Sequence, residues 1–190
     1  MYLVYHLFLF SFRYYQNTSF FSVFQRCSCF SFSDDTPFST EAALVNASSS
    51  HYEEDWSSIP HTHAFTELFY VSEGSGEFLI ENQRFSIKKD DLIIVNPHIQ
   101  HTETSLSASP LSYYTVGVDG ISFSFQDQKE FQIFHCRQKH ADLLFYFHSL
   151  FQELDEKNDG YEEICKHTLA ILIAQLRRFA VSDFQLFPSF

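Results

Sequence analysis

The chain is short of positive charge: its 190 residues hold 12 Lys and Arg against 24 Asp and Glu, a formal net charge of −12. Nucleic acid is gripped through Lys and Arg on its phosphates, so this chain alone is not expected to bind DNA. The basic pair near its C-terminal end, Arg177-Arg178, closes a helical pattern and suits the negative end of a helix dipole. Cysteine is also scarce. Cys27, Cys29, Cys136 and Cys165 are too few and too scattered for a disulfide scaffold, and Cys27-x-Cys29 lacks the second pair that completes a zinc knuckle. Reduced thiols in a cytoplasmic protein follow. The apolar run at residues 2–12 is too short to span a bilayer, and no positive charge precedes it as in a signal peptide, so no membrane partner is expected.

What is abundant is aromatic. With 18% Phe, Tyr and Trp and 45% hydrophobic residues, a chain of this length can close one globular domain around a core of useful size. Residues 1–37 stand apart, dense in Phe and Ser with no clean period of 2 or 3.6, and are expected to be an extension outside the domain. The sequons at Asn17 and Asn46 are short enough to arise by chance.

From Phe38 the chain becomes orderly. Leu68–Ser72 and Phe78–Ile80 are β-prone runs around Gly74-Ser75-Gly76, which predicts a hairpin. Asn82-Gln83 turns into Arg84–Ile87, and Leu92–Val95 has no polar face, which implies burial on both sides. Further strands at Ser112–Val118 and Ile121–Phe125 make at least six at close intervals, the pattern of a sandwich or closed barrel. After residue 130 the period changes. Leu143, Leu144, Phe147, Leu150, Phe151 and Leu154 share one helical face, and Ile164, Thr168, Ile171, Leu172, Leu176 and Phe179 share another. Asn158-Asp159-Gly160 separates them, with Asp159 and Glu162 as a capping box, so two antiparallel neighbours are expected. Their stripes either cap the barrel or join a second copy of the chain.

The chemistry-bearing residues lie among the strands. HTHAFTE, residues 61–67, and NPHIQH, residues 96–101, place His61, His63, Glu67 and His101 on two separated segments that meet if their strands pair. Neutral imidazole and carboxylate suit Zn, Fe, Mn or Ni and leave positions open for a substrate. The same side chains equally line a polar effector pocket without metal, with Glu67 hydrogen-bonded to a histidine or to ligand hydroxyls. Glu103, two residues past His101, points to the same strand face. His51, His98, His135, His140, His148 and His167 read as surface or helix histidines. Phe65, Phe69, Tyr70, Tyr113 and Tyr114 either stack on a sugar ring whose hydroxyls reach Glu67, His63 and Tyr113, or fill the core. Trp56, just before the histidine motif, is placed in the pocket wall.

His61-x-His63, three residues, Glu67, six residues and Gly74 together resemble the first motif of the cupin family. With the segment KKDDLIIVNPHIQH and the trailing helix pair, residues 38–185 resemble the N-terminal sensor domain of the AraC family of transcription regulators. Where that family usually reads Gly-Asp-Leu this chain has Asp90-Asp91-Leu92, and Pro97 to His101 is one residue shorter than in metal-dependent cupin enzymes, which fits the regulators better. The resemblance implies a mostly β protein: a cupin-type (double-stranded β-helix or jelly-roll) barrel over 38–130, then an antiparallel helix pair over 131–190 that ends in a truncated linker. It further implies a small-molecule effector, which a sugar would satisfy, in a pocket of His61, His63, Glu67, His101, Trp56 and Tyr113. A homodimer through the C-terminal helices, and a helix-turn-helix domain beyond the end of this sequence, complete the implication. No cofactor is required, though His61, His63, Glu67 and His101 offer a divalent metal site. A free-standing metal-dependent cupin enzyme, a dioxygenase or isomerase, is the alternative.

Overall fold

The structure, a computed structural model, describes residues 42–52, 56–57, 59–125, 129–136, 140–179 and 184–187. The N-terminal extension with Cys27 and Cys29, the side chain of Trp56, and those of His140, Arg177, Arg178 and Phe179 lie outside the described residues. Among the described residues ten strands precede two helices: β1 (Ala43–His51), β2 (Trp56–Ser57), β3 (Thr66–Glu73), β4 (Ser75–Ile80), β5 (Gln83–Lys88), β6 (Asp91–Val95), β7 (His101–Ser105), β8 (Ser112–Asp119), β9 (Ser122–Phe125) and β10 (Phe131–His135). Then come α1 (His140–Glu156), α2 (Tyr161–Phe179) and β11 (Phe184–Phe187). The expected architecture holds: antiparallel β-structure of cupin type followed by two helices.

Five strands order as β1-β8-β3-β6-β10 and four as β2-β7-β4-β5, while β11 returns after the helices to pair with β9. Strand parity sorts the side chains into two cores. Phe69, Val71, Ile93 and Val95 turn inward to meet Phe78, Ile80 and Ile87 between the two large sheets. Their neighbours Leu68, Tyr70, Leu92 and Ile94 turn outward onto Leu143, Phe147, Leu150, Leu172 and Leu176 of the helices. Helices therefore cover the outer face of the five-stranded sheet, which is why all five residues of β6 are buried, as its unbroken apolar run predicts. Neither helix is long and apolar enough to cross a membrane.

Four local expectations change. β3 and β4 do not form a hairpin: β3 pairs with β6 and β8, and β4 with β5 and β7. Gly74 instead turns the chain from one sheet to the other with φ of 78°, and a Cβ there would stand 1.9 Å from the Pro110 carbonyl oxygen. The hairpin is β4–β5, where Glu81 and Asn82 both take positive φ, the two-residue turn that matches strand twist. α2 starts at Tyr161, with Gly160 O accepting from Ile164 N at 3.1 Å, so Gly160 rather than Asp159 is its N-cap. The inward face of α2 runs through Cys165, Thr168, Leu169, Leu172, Ile173 and Leu176, and this leaves Ile164 and Ile171 exposed.

Asp90, in place of the family's usual Gly, takes φ of 70°. Asp tolerates the left-handed region better than most side chains. Beside it Asp91, 1% exposed, accepts from Lys88 N at 3.0 Å and lies 2.7 Å from His135 Nδ1, which fixes the entry of β6.

Candidate functional site

Backbone bonds bring the two histidine segments together. His61 N donates to His101 O and His101 N to His61 O, both at 3.0 Å, and His98 N donates to His63 O at 2.7 Å. Asn96 holds the base of this junction: its Nδ2 donates to Phe123 O at 2.7 Å and its Oδ1 accepts from Phe123 N at 2.8 Å. Pairing of β3 with β6 then sets Glu67 opposite Val95, on the inward face.

Four expected side chains converge as a result. The His61 ring centroid lies 4.8 Å from that of His63 and 4.6 Å from that of His101. Glu67 joins them, with Oε2 2.9 Å from His101 Nε2 and Oε1 3.6 Å from His63 Nε2. His101 Nδ1 lies 2.8 Å from Ile99 O, and a carbonyl only accepts, so that nitrogen carries hydrogen. Its other nitrogen faces a carboxylate, which makes the ring an imidazolium paired with an anion.

The electrostatics agree. Burial works against the His101 charge, but the Glu67 hydrogen bond and charge outweigh it and hold the pKa above the ordinary 6.5. Burial likewise acts to raise Glu67, and the His101 hydrogen bond overcomes it to hold the carboxyl below its ordinary 4.5. His63 goes the other way. Its burial outweighs the attraction of Glu67, with His61 and His101 adding to the downward push, so this ring is neutral at pH 7.

The donor set fits a divalent ion. One nitrogen from each of His61, His63 and His101 lies within 4.8 Å of the others. An ion bound at about 2.1 Å needs them roughly 3 to 3.5 Å apart, so binding requires the rings to draw closer. His61 Nδ1 is held 2.9 Å from Ile59 O, which leaves Nε2 for a ligand, an orientation typical of metal-binding histidines. Binding through His101 Nε2 requires that nitrogen to lose its proton and Glu67 to release it.

Aromatic side chains divide by strand parity. Phe65 stacks on His63 at 4.6 Å and 11°. Gly117 makes room for it, since a Cβ at that position would stand 2.6 Å from the Phe65 ring. Phe69 stacks on Tyr113 at 4.1 Å and meets Phe78 edge-on at 4.9 Å; Phe78 in turn stacks on His101 at 5.7 Å. Tyr70 and Tyr114, expected near the mouth, instead face the helices, where they pack on Phe147 and Phe151. β2 places the Trp56 backbone opposite Ser105. His51, His98, His135, His148 and His167 are exposed, as expected of surface histidines. Sequence reasoning missed Tyr52, which follows the end of β1 and donates toward Glu103 at 3.2 Å. Nothing in HYEEDWSSIP marks it.

The sequence model of the AraC-like ligand binding domain matches residues 47–172. The chain belongs to that family. The match takes in the histidine cluster, Glu67, Glu103, Tyr113, all of α1 and α2 as far as Leu172. Among solved structures, an apo variant of ToxT from Vibrio cholerae aligns with a TM-score of 0.51 at 12% identity over 76% of this chain and 58% of that one. This shows a shared fold. YhaK from Escherichia coli aligns at TM-score 0.44 and 16% identity over 57% and 50% of the two chains. A cupin protein from Bacteroides fragilis aligns at 0.38 and 18% over 56% and 86%. No curated protein matches the sequence.

Proposed function

We propose that this AraC-like domain binds a small polar effector, such as a sugar, between its two large sheets and works as the sensing and dimerising part of a cytoplasmic transcription regulator. The observation that carries the reading is the convergence of His61, His63, Glu67 and His101 on the inner wall of a domain of this family, with Phe65 and Phe69 as flat faces beside them. Glu67 and the histidines supply hydrogen-bonding groups of both polarities, and the rings supply stacking surface. DNA reading is assigned to a part outside these residues, because a net charge of −12 repels a duplex.

An effector that binds the native state stabilises it, by about 2.7 kcal/mol at a hundredfold excess over Kd. A screen of small polar molecules by thermal shift is expected to find such a ligand, and His63→Ala, at the half-buried rim, is expected to abolish the shift while leaving the free protein folded. A ligand whose shift survives His63→Ala binds elsewhere and counts against the reading.

Dimerisation is read from α2. Ile164 and Ile171, seven residues apart, are 44% and 45% exposed, and Phe145 of α1 is 64% exposed. A stable dimer buries on the order of 800 Å² per partner, which a helical face of this kind can supply. Sedimentation at micromolar concentration is expected to show a dimer that Ile171→Asp converts to monomer without loss of helicity. A wild-type chain that stays monomeric refutes it.

One observation favours the metal-dependent enzyme as a second reading: the three imidazole nitrogens within reach of one ion. An ion bound there would supply Lewis acidity, with Glu67 beside it as a further oxygen ligand. One divalent ion per chain retained through dialysis is the result that favours this reading over the first.

A further inference from the structure

Across Phe69 and Phe78 from the histidines lies a second buried polar group. Glu103 is 6% exposed, Tyr52 4% and Tyr113 5%. β7 carries His101 and Glu103 two residues apart, so both face the interior. Tyr113 Oη donates to Glu103 Oε1 at 2.7 Å; Tyr52 Oη lies 3.2 Å from the same oxygen and 2.7 Å from Tyr113 Oη. Each phenol has a single proton, so this oxygen receives two donors at most. Among the described residues no donor reaches Oε2.

A carboxylate presents about four acceptor sites, and the two phenols fill at most two of those on Glu103. Its other oxygen is left open to a donor from outside the protein. The described Lys and Arg side chains are elsewhere: Arg84, Lys88, Lys89, Lys129 and Lys157 are exposed, and Lys166 lies on α2. Among the described residues, an anionic group on a ligand would therefore find no guanidinium or ammonium at this end of the pocket and would meet the carboxylate of Glu103 instead. Between the two polar ends run the rings of Phe78 and Phe69, linked to His101 at 5.7 Å on one side and to Tyr113 at 4.1 Å on the other.

We propose that Tyr52, Glu103 and Tyr113 form the donor-reading end of the pocket, which selects a small effector presenting hydroxyl or ammonium hydrogens and rejects its carboxylate or phosphate counterpart. The inference rests on the effector reading above and names the chemistry of the ligand. Glu103 supplies the acceptor, while Tyr113 and Tyr52 aim its carboxylate from one side and leave the other oxygen to the ligand. Buried polar groups built to pair with a hydroxyl or amine discriminate strongly against an analogue that leaves them unpaired.

Two matched sets of probes test it by calorimetry on the whole chain: glucose, glucosamine and glucuronate, and hexanol, hexylamine and hexanoate. Within whichever set binds, the hydroxyl and amine members are expected to bind at least about tenfold tighter than the carboxylate, a difference of roughly 1.4 kcal/mol. Binding confined to the sugars identifies a polyol or amino-sugar ligand, and binding confined to the alkyl set identifies an alkyl alcohol or amine. Glu103→Gln, which keeps the side chain's size, is expected to erase the amine preference. The wild-type ranking decides the matter even if that variant fails to fold. A carboxylate that binds as well as its amine overturns the proposal and leaves the effector reading standing, as does an unchanged ranking in a folded Glu103→Gln. Absence of saturable binding by all six up to about 10 mM, far weaker than any useful sensor, overturns both.

Discussion

Glu67→Ala is expected to lower stability by about 3 to 5 kcal/mol, because it strands a buried imidazolium whose hydrogen-bonded anionic partner is removed. The His101 side chain is 2% exposed and that of Glu67 6%, and their bond is 2.9 Å. Glu67→Gln, which keeps an acceptor oxygen without the charge, is expected to fall between the alanine variant and the wild type. Urea denaturation near pH 5.5 reads the effect, and a loss under about 1 kcal/mol for the alanine variant would show that the pair does not hold the site together.

The pH dependence follows from the two shifts. Glu67 titrates below its ordinary 4.5 in the folded chain, so its contribution is present above 4.5 and is lost as pH falls through the lowered value. His101 titrates above its ordinary 6.5, so its contribution is fully present below 6.5 and is lost as pH rises through the raised value. Together they contribute most between 4.5 and 6.5. The gap between wild type and Glu67→Ala should therefore be widest in that window and shrink on either side.

Phe147→Ala is expected to cost about 3 to 5 kcal/mol, a large share of the roughly 5 to 15 kcal/mol that holds a domain folded. Phe147 is fully buried and stacks on Tyr70 at 5.1 Å and 11°, with Tyr114 at 6.1 Å. It is the aromatic contact that α1 makes with both β3 and β8. Tyr70 in turn donates to Asp90 Oδ1 at 3.4 Å, so the loss reaches the corner where β6 begins. Phe145→Ala, two residues away and 64% exposed, is expected to change stability by no more than about 0.5 kcal/mol in the monomer. Equal effects of the two substitutions in thermal or urea unfolding would mean that α1 is docked by another face. Such a result would also detach the proposed dimer surface from the barrel.

Periodicity and composition carried much of this molecule. Alternation of Phe85 and Ile87 with polar residues along β5, the unbroken run of β6 and the 3.6-residue stripes of α1 and α2 are local properties, set by which side chains must leave water, and a single sequence displays them. The spacing of His61, His63, Glu67, Gly74 and His101 also shows the site residues, because the distance along two strands decides which side chains can meet once the strands pair. Their state is another matter. That His101 is charged and His63 neutral depends on the 2.8 Å bond to Ile99 O, the 2.9 Å bond to Glu67 and the depth of each ring, none of which has a sequence signature. Pairing across sheets was equally hidden: Gly74 reads as a hairpin turn, and only the approach of Pro110 shows that it carries the chain from one sheet to the other. Tyr52 and Glu103 lie 51 residues apart and meet because β1 and β7 belong to facing walls of the barrel. The outward turn of Ile164 and Ile171 was fixed by which side of α2 the sheet and α1 could cover. Local patterning thus decided what each segment becomes, and tertiary packing decided which faces meet, because burial and charge are properties of neighbours that the chain brings together only by folding.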